Sequence, residues 1–119
     1  MFHVVLCKLL SSVEGADWVM VVGTDGVLLE AIGNQSSSTS EAVAAEYAIF
    51  YRACMRVAAE TSGGDIQNIV MHTDRGKVLL QTLTPDYFLL LSLTPDGNSG
   101  VARYEIGRAR AHLEQELVF

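Results

Sequence analysis

The chain has 119 residues, of which 50% are hydrophobic and 18% charged, with a formal net charge of −6 and a pI near 4.8. This length and apolar content suit a single globular domain over residues 1–119, able to bury about two-thirds of its unfolded surface, and exclude a disordered chain. The acidic balance disfavours nucleic acid and an anionic membrane as main partners, since both need a basic footprint, and leaves room for a local basic patch.

Taken in order, residues 2–11 place Phe2, Val5, Leu6, Leu9 and Leu10 at helical spacing. His3 and Lys8 interrupt the apolar run and no A-x-A-like cleavage site follows, so it reads as a short amphipathic helix and not as a leader. No stretch reaches the roughly 18 uninterrupted apolar residues of a membrane span, which makes direct membrane insertion unexpected and a cytoplasmic location the default. After Val13-Glu14-Gly15, residues 16–22 form a β-branched and aromatic run that is apolar on both faces. Asp25-Gly26 is a hairpin turn, because glycine accepts positive φ, and residues 27–32 return as a second strand whose only charge is Glu30. Asn34 to Ser38 is a polar loop.

A long helix follows. Ser38 and Glu41 have the spacing of a capping box, and residues 40–61 contain neither glycine nor proline until Gly63-Gly64 ends them. That helix is roughly 33 Å long at ~1.5 Å per residue. Val43, Tyr47, Phe50, Cys54 and Val57 follow helical spacing on one side, while Ala45, Ala48, Ile49 and Met55 add apolar surface elsewhere. A helix apolar over so much of its circumference needs more than its own sheet to cover it, which points to a partner. Ala44, Ala45 and Ala48 allow another backbone to approach closely; Tyr47, Ile49, Phe50, Tyr51 and Met55 offer anchors typical of interfaces. Spacing alone leaves Tyr47 and Phe50 two destinations, the chain's own sheet or the partner. Ile49, Arg52 and Arg56 lie on other sides of the helix and favour the partner.

Residues 66–73, 77–83 and 87–93 read as three further strands joined by short turns, the last apolar on both faces. Asn98 or Ser99 can cap a final helix reaching about Leu117, with Val101, Tyr104 or Glu105, Arg108, Ala109, His112 and Leu113 on neighbouring turns. The expected fold is therefore an α+β sandwich of order α-β-β-α-β-β-β-α. Its five-stranded, mainly antiparallel sheet carries the long helix on one face and the terminal helices on the other. The doubly apolar strands 17–23 and 87–93 belong in the middle, with 27–32 and 66–73 at the edges. The edge carrying Ile69 and Met71 has open backbone groups, and a homodimer pairing it with its own copy would satisfy them.

Chemistry has little support in the residues. The serine-rich loop lacks a G-x-S-x-G elbow, and His3, His72 and His112 show no ligand spacing. Cys7 and Cys54 form no CxxC pair and read as reduced packing thiols. Asp74-Arg75-Gly76-Lys77 is a turn and not a phosphate-binding loop. Arg52, Arg56 and Arg75 suit solvated arginines better than arginine fingers. No catalytic residue, metal or cofactor is expected, and the chain is not read as an enzyme.

The run V-E-G-A-x-x-x-x-V-V-x-x-D-G over residues 13–26, the long alanine-rich helix after it, and Asn98-Ser99-Gly100 opening the last helix together resemble the roadblock / dynein-light-chain family. Within it, the short acidic chain is similar to the prokaryotic, MglB-like branch. The resemblance implies a dimer with a sheet continuous across two protomers, built on the second helix and third strand. It also implies a regulator or scaffold of a small Ras-like GTPase, stimulating hydrolysis without supplying a catalytic residue. A structural adaptor without effect on nucleotide turnover is the alternative. A small-ligand sensor is a third reading, and it would need a polar-lined cavity.

Overall fold

In chain order the elements are α1 (Phe2–Ser12), β1 (Ala16–Gly23), β2 (Leu28–Gly33), α2 (Ser37–Thr61), β3 (Asn68–Thr73), β4 (Gly76–Thr84), β5 (Tyr87–Leu93) and α3 (Ser99–Glu116). The structure is a computed structural model and describes residues 2–61 and 63–117. The strands form a sheet of order β2-β1-β5-β4-β3, antiparallel throughout.

The doubly apolar strands β1 and β5 lie inside the sheet because both their faces must leave water. Val19, Val21, Leu89 and Leu91 point into one core, which Leu6, Leu9, Ala102, Ile106 and Leu113 of α1 and α3 close. Met20, Val22, Phe88 and Leu90 point into the other, under α2. Element order, strand order and the division of helices between faces agree with the expectation from sequence.

Two turns depend on glycine. In the β1–β2 hairpin Gly26 has φ +96°, and Asp25 Oδ1 accepts from the Val27 N–H at 3.1 Å. At the β3–β4 turn Gly76 has φ +154°, and a Cβ there would run into the Leu93 carbonyl oxygen.

Three local expectations are corrected. The cap of α2 is Ser36, not the Ser38–Glu41 box: its Oγ accepts from the Thr39 N–H at 3.3 Å and its carbonyl takes the Ser40 N–H at 2.9 Å. Strand β3 starts at Asn68 because the preceding carbonyls are already engaged, Ile66 by the Thr82 hydroxyl at 2.8 Å and Gln67 by the Thr82 N–H at 3.1 Å. In α3, which Asn98 Oδ1 caps at 2.8 Å from the Gly100 N–H and 3.1 Å from the Val101 N–H, the buried face is Ala102, Ile106 and Leu113. Val101 and Tyr104 instead face solvent.

Candidate dimer and partner interface

Helix α2 presents three different surfaces around its axis, at about 100° per residue. The first lies on the sheet. Ala44, Ala48 and Tyr51 are buried there, with Ser40 and half-buried Met55 continuing the row. With no side chain beyond Cβ, Ala44 and Ala48 let the helix settle onto the Met20 and Phe88 side chains. The Tyr51 ring packs on Phe88 with centroids 4.9 Å apart, and its hydroxyl meets Thr82 Oγ1 at 3.0 Å. Since the Thr82 proton is committed to the Ile66 carbonyl, Tyr51 is the donor. Ala44, Ala48 and Tyr51, expected to contact a partner, are therefore core residues. Most of the bulk in this core comes from the sheet, to which the helix adds the Tyr51 ring and its small alanines.

The second surface is the flank towards β3. Val43, Tyr47, Phe50 and Cys54 are half-buried there and Val57 is 59% exposed. Tyr47 stands edge-on to Phe50 at 6.3 Å and its hydroxyl donates to Met71 Sδ at 3.7 Å. Burial pushes the Tyr47 phenol above its ordinary pKa. Ile69 and Met71 of β3, both half-buried, continue the apolar strip from the helix to the rim of the sheet.

That rim is unguarded. β3 pairs only with β4, in uninterrupted register from Asn68↔Gln81 to Thr73↔Gly76, so alternate residues direct their N–H and C=O groups away from the sheet. The segment contains no proline, lysine or bulge. The opposite rim differs: β2 carries Glu30 in mid-strand, its pairing with β1 is bulged between Val21 and Val22, and His3 of α1 reaches Glu30 at 3.3 Å.

The third surface is the flank over the β1–β2 hairpin. Ala45 lies beside Gly26, and the Arg52 guanidinium donates to the Thr24 carbonyl. Ile49, 56% exposed, and Arg56 share this side with Val27, 64% exposed, at the hairpin. The residues nominated from sequence thus divide into a core row (Ala44, Ala48, Tyr51, Met55), a β3 flank (Tyr47, Ile69, Met71) and a hairpin flank (Ala45, Ile49, Arg52, Arg56). Spacing did pick out the row Val43, Tyr47, Phe50, Cys54 and Val57 on one side of the helix, with the destination of Tyr47 and Phe50 left open between sheet and partner. The row runs along the β3 flank.

Chemical groups suited to catalysis are not gathered anywhere in this surface. Among the described residues no cluster of His, Cys, Asp or Glu has metal-binding geometry, and no buried side-chain polar atom lacks a partner. A depression of about 510 Å³ beside Tyr51, Met55, Ile66 and Arg110 is open to solvent and is not a closed ligand cavity. Among the described residues no helix is long and apolar enough to cross a membrane.

Residues 4–92 match the family model described as Roadblock/LC7 domain. The chain belongs to the Roadblock/LC7 family. Solved members of similar fold include a Roadblock/LC7 domain from Streptomyces avermitilis, 17% identical over 95% of this chain and 94% of that one, with a TM-score of 0.89. Myxococcus xanthus MglB is 17% identical over 94% of this chain and 90% of its own length, with a TM-score of 0.87. MglC from the same organism is 24% identical over 98% of both chains, with a TM-score of 0.71. At these identities the likeness establishes the Roadblock/LC7 fold. No curated protein matches the chain.

Proposed function

We propose that the chain acts in the cytoplasm as one Roadblock/LC7 unit that pairs β3 with β3 of a second copy, laying the two β3-side flanks of α2 against each other. The resulting homodimer is a regulator or scaffold for a small Ras-like GTPase. The observation carrying the dimer is the unguarded β3 edge lying beside the apolar strip Tyr47, Phe50, Ile69 and Met71. Pairing would satisfy the open backbone groups and cover the surplus apolar surface in one step. The GTPase reading rests on family membership and on the fold shared with MglB.

The hairpin flank then meets the GTPase. It stays outside the pairing, and Ile49 with Arg56 gives it an apolar centre and a cationic border. Arg52 is already tied to the Thr24 carbonyl, which favours ordering of the GTPase's own switch loops over insertion of an arginine.

The test is light scattering of the purified chain, followed by turnover assays with a small GTPase encoded beside it. Dimer mass and faster GTP hydrolysis, with tighter binding to the GTP-loaded form, are the expected outcomes. Binding that ignores the nucleotide would replace regulation by the adaptor role. A monomer would remove the dimer reading.

A further inference from the structure

On the face of the sheet opposite α2, helices α1 and α3 leave a trough of about 270 Å³ between them. Its floor is apolar, from Val5, Leu9 and Ala109. Its border carries Val4, 58% exposed, while Val101 and Tyr104, 45% and 66% exposed, precede the lining residues Glu105 and Arg108 on α3. Lys8, Arg108 and His112 line the same trough, against one carboxylate, Glu105. Arg108 engages that carboxylate at 3.4 Å and lies over the Tyr104 ring at 6.0 Å. Lys8 and His112 have no side-chain partner among the described residues. A cation-bordered apolar trough in a chain of net charge −6 is a local reversal of sign.

We propose that this trough is a docking site for an acidic amphipathic segment of a partner protein. Its apolar side would lie on Val5, Leu9 and Ala109, and its carboxylates would reach Lys8 and His112. The stretch from Val4 to Ser12 is roughly 12 Å along α1, room for two turns of a helix. Charge complementarity selects acidic segments over basic ones. The net acidic charge of the whole chain repels an anionic lipid surface, which favours a peptide occupant. The trough faces away from β3 and α2, so its occupation does not depend on the dimer.

The test is an amide-shift titration of the isotope-labelled full chain with a short helix-forming peptide whose leucine face is flanked by glutamates. The same peptide with lysines, and phosphatidylserine-containing vesicles, are the comparisons. Expected are shifts at Val5, Lys8, Leu9, Arg108 and His112 with the glutamate peptide alone, and an affinity at least about tenfold lower in Lys8→Glu/Arg108→Glu. Lys8→Gln, which removes charge without reversing it, keeps the comparison if the double variant does not fold. No shift, equal response to both peptides, shifts confined to α2 or β3, or binding of the vesicles alone would each overturn the proposal.

Discussion

Ala48 is fully buried in the core beneath α2, in one cluster with Met20, Phe88 and Leu90. Ala48→Leu should therefore destabilise the fold by about 1–3 kcal/mol through overpacking, read as a lower Tm with the association state unchanged. Had the residue faced a partner, the same change would alter the mass, and Tm would fall only through the lost association. Tyr47 makes a second prediction, in pH. Its phenol is raised above the ordinary value of 10.0 by burial, so the folded chain holds that proton more tightly than the unfolded chain does. The contribution is fully present below pH 10.0 and is lost as pH climbs from there through the folded value. Tyr47→Phe should flatten that alkaline loss of stability in a denaturation series. The identities of the core alanines were visible in the sequence, but their destination was not. Periodicity marks a row of large apolar residues, and here the sheet supplies most of the large residues while the helix supplies the small ones.

Among the elements, the strands were the most legible. Doubly apolar runs such as Tyr87–Leu93 have one place to go, the middle of a sheet covered on both sides. Helices were less so, because a helix with apolar residues on several sides offers several plausible faces. In α3 the row traced from Val101 through Tyr104 or Glu105 to Leu113 includes Leu113, which the structure buries, but the helix's other buried residues are Ala102 and Ile106, while Val101 and Tyr104 are exposed. In α2 the roles proposed for the two flanks have separable tests. Val70, 42% exposed and alternating with Ile69 and Met71, sits on the β3 edge away from α2. Val70→Lys would set like charges against each other across a β3–β3 pair while leaving the lone chain comfortable. Light scattering should show a monomer with little change in circular dichroism. Ile49→Glu, on the hairpin flank, should keep the dimer mass and weaken GTPase binding about tenfold or more. Loss of the dimer in Ile49→Glu and its persistence in Val70→Lys would exchange the two roles.

At the scale of the whole molecule, both faces of one sheet are filled, and what remains exposed is concentrated at a rim and on helix flanks. The proposed self-pairing would add to the stability of each chain by mass action. Melting temperature should rise with protein concentration in the wild type, and Val70→Lys should melt independently of it. A flat wild-type series would mean that the strip is covered by another protein.

The two rims of the sheet are unequal, and their inequality determines how far assembly can go. Joining two β3 edges about a twofold axis uses up the open edge of each copy. Both ends of the enlarged sheet are then β2, where the bulge beside Val21 and Val22 and the charge of Glu30 oppose a further strand. On the proposed pairing, growth would end at two copies, as a closed, symmetric pair with no route to a fibre.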